Sequence, residues 1–352
     1  MELSALRELG FKFIKTTVFK GFMATLVLLS PILVIIISMG IGYLSISPAE
    51  IINILIAKIV NLELDEKQKV YETVIFNIRL PRILLASLVG CSLSVCGAVL
   101  QAMFRNPLVE PYILGISSGA AFGAALALGL GLLSGSVQIL AFIFGMISVF
   151  LAYGMAKSGG EVPVINLVLA GIIVSALFTA LTSLIKFFVD PHKLAGIVYW
   201  IMGSFSPADW NSLTTVTAPI IACLILLIAL SWRLNVLSLS DEEAKALGVK
   251  VSRERFLILS IATLMTACAV SVSGIIGWVG LLIPHVVRLA FGSDNRVVIP
   301  ISASLGAIFM VLADNIARSA FSFELPISVL TTILGAPVFM LLVRRRARRV
   351  WS

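Results

Sequence analysis

Ten stretches of this chain, most of them about 18 to 24 residues long, are almost free of charged side chains, and each is long enough as a helix to cross the ~30 Å hydrocarbon core of a bilayer. Hydrocarbon offers no water to backbone N–H and C=O groups, so each stretch must satisfy them within itself, as a helix. The expected spans are Phe22–Leu44, Leu80–Met103, Tyr112–Leu132, Ser136–Ala156, Val164–Phe188, Ser212–Trp232, Phe256–Gly274, Ile275–Phe291, Val297–Arg318 and Pro326–Val343. Pro284 interrupts the eighth, and a re-entrant loop there would leave nine. Composition agrees: 59% of residues are hydrophobic and 12% charged, against roughly half and a quarter in soluble domains. The fold class this predicts is all-α, a polytopic membrane protein with about ten transmembrane helices.

A formal charge of +8 could signal a nucleic-acid partner. The basic residues, however, sit between apolar stretches and at the termini rather than on one face, so they read as topology signals and imply no nucleic acid. With ten spans, most of the 26 Lys and Arg fall on the side of both termini, which predicts a multi-pass protein of the cell (inner) membrane with both ends cytoplasmic. The organisation follows as a cytoplasmic segment over 1–21, a transmembrane domain over 22–343 in contact with membrane lipid, and a basic cytoplasmic tail over 344–352. Phe22–Leu44 is too long for a signal-peptide core and reads as an uncleaved first span. Cys91, Cys96, Cys223 and Cys268 lie inside apolar stretches without paired Cys or His spacing, which predicts core packing, no metal and no cofactor.

Catalytic signatures are absent, so no catalytic residue is expected. Carriers driven by protons or sodium place ionisable groups deep among their helices, and here Asp314 is the main such carboxylate. Arg318 follows it at i+4, a spacing suited to a structural ion pair. His285, beside Pro284, reads as a hydrogen-bonded residue near a kink. The chain also lacks a phosphate-binding loop, so any ATP must be bound and hydrolysed by a partner subunit.

The longest polar insertion on the side of the termini, about 233–255, carries the grammar of a short capped helix. Ser240 or Asp241 caps it, Asp241, Glu242 and Glu243 fill the first turn, Lys245 and Ala246 continue, and Gly248 ends it with φ > 0. A solvated connector and a docking helix for a cytoplasmic partner are both compatible with that pattern.

Several motifs occur in a familiar order: Ile78-Arg79-Leu80-Pro81-Arg82, Gly97-Ala98-Val99-Leu100-Gln101, Asn106-Pro107-Leu108-Val109-Glu110-Pro111, Leu114-Gly115-Ile116-Ser117-Ser118-Gly119-Ala120 and Tyr199-Trp200-Ile201-Met202-Gly203. Gly280-Leu281-Leu282-Ile283-Pro284-His285-Val286-Val287-Arg288, Ala313-Asp314-Asn315-Ile316-Ala317-Arg318, Glu324-Leu325-Pro326-Ile327 and Leu334-Gly335-Ala336-Pro337-Val338-Phe339 complete the set. From about residue 78 onward the chain resembles the permease family of ABC importers for iron-siderophores, haem and vitamin B12, the type II importer permeases. The resemblance implies a dimer, most simply of identical subunits, with the pathway along its interface, two ATP-binding-cassette ATPase subunits below and an extracytoplasmic binding protein above. It implies that Leu239, Ser240, Asp241, Glu242, Glu243, Lys245, Ala246, Leu247 and Gly248 couple to the ATPase. It places an inner gate near Pro163, Val164, Ile165 and Asn166, whose side chains suggest an apolar constriction.

Arg79, Arg82 and Arg318 fall on the side that the positive-inside bias leaves poor in basic residues. Snorkelling to headgroups, together with the Asp314 pair, is one reading; an anion-binding rim for carboxylates of a binding protein is the other, and the resemblance favours it. The function expected is translocation of a metal chelate, whether iron-siderophore, haem or corrinoid. The alternative is an ion-coupled secondary transporter or channel, and a membrane-embedded enzyme is a more distant third.

Overall fold

The structure, a computed structural model, describes residues 21–350 apart from residues 22, 43, 61–62, 158–161 and 321–322, with the backbone alone at 55, 59, 134 and 343–350. The expected cytoplasmic segment therefore lies outside the described residues, save for its last residue. Among the described residues every regular element is helical. In chain order they are α1 (Met23–Ser38), α2 (Pro48–Val60), α3 (Glu66–Thr73), a π-helical turn (Val74–Arg79), α4 (Leu80–Met103), α5 (Ile116–Leu130), α6 (Ser134–Ala156) and α7 (Val164–Phe188). They continue with α8 (Pro191–Ile201), α9 (Trp210–Ala229), α10 (Ser231–Leu237), α11 (Asp241–Ala246), α12 (Val251–Ser273), α13 (Val279–Phe291), α14 (Asn295–Ser319) and α15 (Ile327–Val350).

Helix α4 is the axis of the bundle. Most of its residues are buried, and α9, α12, α13 and α14 all pack on it, while α5, α6 and α7 form a second group joined to the first through α12. In lipid, helices gain no hydrophobic advantage from touching one another, so association relies on close van der Waals approach at small residues. Gly90 on α4 lies against the Gly306 carbonyl of α14, and Gly97 lies against Gly280 of α13, close enough that a Cβ at position 97 would stand 1.8 Å from the Gly280 oxygen. The small-residue stripe of α5 does the same work against α6, where Gly119 and Gly123 face backbone carbonyls of Phe144 and Leu140.

Among the described residues, six continuous helices are long and apolar enough to cross a membrane: Glu66–Met103, Gly135–Ala156, Val164–Phe188, Trp210–Ala229, Val251–Ser273 and Asn295–Ser319. The other four expected spans fall on shorter apolar helices, Met23–Ser38, Ile116–Leu130, Val279–Phe291 and Ile327–Leu342. The eighth span differs from its expected form. Residues 274–278 are not helical, with left-handed φ at Gly274 (69°) and Trp278 (72°), and α13 begins only at Val279. Thirteen residues rise about 20 Å, so any crossing here combines a non-helical segment with a half-length helix. The sixth span also stops early: α9 ends at Ala229, and Trp232 belongs to the separate helix α10. Helices α2, α3 and α8 lie in stretches read as connections. The basic stretch expected as a tail begins as a continuation of α15.

Candidate functional site

Polar side chains gather at the two ends of the bundle. At one end, here the insertion end, lie the C-terminus of α4, the helices α10 and α11 and the start of α12. Ser240 caps α11 through a capping box, its hydroxyl accepting from Glu243 N–H at 3.2 Å while Glu243 Oε2 accepts from Ser240 N–H at 2.8 Å. At the other terminus Gly248 (φ 80°) and Val249 donate to the carbonyls of Lys245 and Ala244 at 2.9 and 3.1 Å, a Schellman closure. Ala244, 1% exposed, seats the helix, whereas Leu239 and Leu247 are exposed at 41% and 64%. Glu242, Glu243, Lys245, Ala246 and Gly248 are exposed too. A short helix with both ends satisfied thus holds two leucines away from the bundle.

Asp241 and Arg255 tie this helix down. The Arg255 guanidinium, on α12 and 2% exposed, donates to Asp241 Oδ1 at 2.9 Å and to the Val162 carbonyl at 2.9 Å. Arg105, just past α4, pairs with the same Asp241 oxygen. Burial pushes the Asp241 carboxyl up, but Arg255 and Arg105 together outweigh it and hold the group below its ordinary range. Val162 directly precedes the expected gate residues. Pro163 stands at the N-terminal boundary of α7, Ile165 is 69% exposed, and Val164 and Asn166 are half-buried. Arg255 was legible only as a topology charge; its two acceptors lie on separate elements, and one of them is a backbone carbonyl.

At the opposite end, the arginine end, Arg79, Arg82 and Arg318 come together with Asp314 and Glu324. All three guanidiniums turn into the bundle: Arg79 and Arg82 are 4% and 7% exposed, and the Arg318 side chain 7%. Arg82 grips Asp314 with two nitrogens, Nε at 2.9 Å and Nη2 at 2.8 Å, and reaches Glu324 with Nη1 at 2.8 Å. Arg318 Nε stands 3.5 Å from Asp314, so the expected i,i+4 pair is the longer arm of a cluster centred on Arg82. Other donors of the cluster reach the end of α1 and the bend that follows it. Arg79 Nη1 donates to Met39 O at 2.7 Å and Nη2 to Leu44 O, while Arg318 Nη2 donates to Ser38 O at 2.9 Å. Helix C-terminal carbonyls lack intrahelical donors and favour cations, which gives arginines a reason to sit on the side where few are expected. Glu324, its side chain 43% exposed, is the cluster's outward-facing member.

Comparison with known proteins places this geometry. The profile of the FecCD transport family matches residues 28–345. The molybdate import system permease protein MolB of Haemophilus influenzae is 44% identical over 314 residues, covering 89% of this chain and 92% of that protein. The hemin transport system permease protein HmuU of Yersinia pestis is 37% identical over 280 residues, covering 78% and 84%. Among solved structures, one described as an inward-facing conformation of a metal-chelate type ABC transporter superposes with a TM-score of 0.81 at 41% identity, covering 92% of this chain and 98% of that one. The matched stretch takes in both polar ends and every helix between them; the chain is a multi-pass membrane permease belonging to the FecCD transport family of ABC importers.

Proposed function

We propose that this chain, with ten spans of its own, forms with a second and most simply identical copy the translocation unit of an importer that carries a metal chelate, either an iron-siderophore, haem or a corrinoid. The insertion end faces the cytoplasm together with both chain termini, and each copy's α11 seats in one of two ATP-binding-cassette subunits that bind and hydrolyse the ATP. The arginine end faces outward and receives the binding protein, with Arg79, Arg82 and Arg318 supplying three positive charges against the two of Asp314 and Glu324. Residues 163–166 form an apolar inner gate. The observation that carries this reading is the doubly capped helix α11, flanked by the exposed Leu239 and Leu247, while Arg255 joins its first residue to Val162 just before the gate.

Names of relatives support the substrate class, since iron chelate, hemin and cobalamin permeases are all similar to this chain. The similarity to a molybdate permease over nearly its full length favours one second reading, a small oxyanion as cargo. The test is reconstitution of the permease with its ATPase and binding protein in liposomes, presenting ferric siderophore, haem, cobalamin or molybdate in turn. Stimulated ATP hydrolysis with uptake of a chelate supports the proposal; stimulation by molybdate alone replaces it with the second reading. Uptake driven by an ion gradient without ATP overturns both.

A further inference from the structure

Helix α2 (Pro48–Val60) lies between the first two spans, in a stretch that reads in the sequence as a connection, and yet it is apolar on both sides. On one side Ile51, Ile54 and Ala57 are buried, and both isoleucines belong to the core. On the other side Ile52, Ile56 and Val60 recur every four residues as one stripe, 55%, 49% and 59% exposed. Asn53, also exposed, stands at the edge of that stripe. The charges of α2 point elsewhere. Glu50 accepts from Lys67 at 3.2 Å and Lys58 donates to Glu72 at 2.9 Å, so both are turned toward α3. A helix with water on its outer side presents polar side chains there; α2 presents branched aliphatics.

Contacts at its two ends fix the level of α2 against the spans. At its start, Ile51 packs on the turn that closes α1, where a Cβ on Gly40 would stand 3.5 Å from the Ile51 side chain. The neighbouring Met39 carbonyl is the one that receives Arg79. At its far end, Lys58 Nζ lies 4.0 Å from the centre of the Phe76 ring, and the Phe76 carbonyl accepts from Trp210 Nε1 at 2.9 Å. Trp210 is the first residue of the span Trp210–Ala229. Both ends of α2 are therefore tied to places where spans begin or end on the arginine side, so the helix lies across those ends, in the plane of the membrane boundary. An indole hydrogen-bonded at that level is itself typical of the boundary. The surface that α2 extends is lipid-facing: α1 exposes Leu33, Ile36 and Ile37, and Ile41 follows beside Gly40.

We propose that α2 is an interfacial helix, with Ile52, Ile56 and Val60 sunk among the upper acyl chains of the leaflet at the arginine end. Burial of an apolar face at the headgroup boundary is what holds a helix flat on a bilayer, and here the ion pairs to α3 free that face of charge. A docking patch for a soluble partner carries a polar rim, whereas this stripe runs on into the lipid-facing surface of α1. The consequence is a limit on recognition: the stretch between α1 and α3 belongs to the membrane-embedded surface, and a protein arriving at the arginine end meets α3 and Glu324 but not the stripe.

The experiment places a nitroxide on the full chain in phosphatidylcholine liposomes, through Ile52→Cys, Ile56→Cys and Val60→Cys in turn. Substitutions at such exposed positions are well tolerated. The four native cysteines are buried, and the wild-type chain carried through the same labelling sets the background. Spin relaxation by oxygen, which concentrates among acyl chains, is compared with relaxation by the nickel complex of ethylenediaminediacetate, which stays in water. Leu33→Cys on α1 is the lipid reference and Lys69→Cys on α3, a helix with no buried residue, the water reference. At all three positions of α2, oxygen should relax the label severalfold more than the nickel complex, and the three depths should agree with one another and lie shallower than that of Leu33→Cys. Relaxation matching Lys69→Cys at any of the three overturns the proposal. So does a steady drift toward water from position 52 to position 60, which would stand the helix upright. Protection from both reagents overturns it in favour of a covering protein, either a second copy or another chain.

Discussion

Side chains longer than hydrogen are excluded from position 97 by backbone alone. The nearest atoms to a Cβ there are the oxygen, carbonyl carbon and Cα of Gly280, none of which belongs to a movable side chain. Gly97→Ala must therefore separate α4 from α13, at a cost on the order of 1–3 kcal/mol. Gly154→Ala, where a Cβ meets nothing within 4 Å, should be neutral or slightly stabilising. Thermal unfolding of both variants in micelles checks the contrast, and equal shifts would remove the close approach from the account of stability. Legibility at this scale depended on where the partner lay. The ending of α11 at Gly248 was readable, and its cap was narrowed to Ser240 or Asp241, because every group involved falls within ten residues. Gly97 had no such signal, since its partner is backbone on a distant helix. The three arginines showed only that something held them against the positive-inside bias; carbonyls of α1 leave no trace in a sequence.

Among the elements, α11 and α12 meet through one buried guanidinium. If α11 carries force from an ATPase, Arg255 hands it to the turn before α7. Arg255→Met should leave membrane insertion and ATP hydrolysis in the reconstituted complex near wild type while lowering import severalfold, with Arg255→Lys intermediate because a lysine keeps the charge but not the fork. Parallel loss of hydrolysis and import in Arg255→Met would reduce Arg255 to a folding role. The Asp241 carboxyl is depressed, so its contribution to seating α11 is present above the ordinary carboxylate pKa and fades only as pH falls through the lower folded value. Leu247→Asp tests the other face of the helix: binding of the ATPase subunit should weaken while Asp241 and Arg255 stay paired, and unchanged ATPase affinity would remove α11 from the docking surface. Elements with long apolar runs were predicted closely, α7 to the residue. Helices α2, α3, α8 and α10 were missed because they are short, and tertiary contacts such as the burial of Leu234 and Leu237 sustain what periodicity could not announce.

Across the whole molecule, one polar end exposes apolar side chains on a short helix and the other buries its charges. The arginine end holds three guanidiniums against two carboxylates, and Glu324 is the carboxylate facing outward. Glu324→Gln should strengthen docking of an acidic binding protein and make it more salt-sensitive, because rim charges act mainly through electrostatic encounter. Affinity for the cognate binding protein measured across ionic strength would show this, and a variant indistinguishable from wild type would place the docking surface elsewhere. The end of α1 has a different consequence, one of timing. Its terminal carbonyls wait for donors 40 and 280 residues further along the chain. At about 5–20 residues per second, the second donor leaves the ribosome on the order of tens of seconds after α1 itself. Helix α1 is thus completed by a helix made much later, and until then it stands in the bilayer as an unfinished guest, held there by lipid and by whatever insertion machinery attends it.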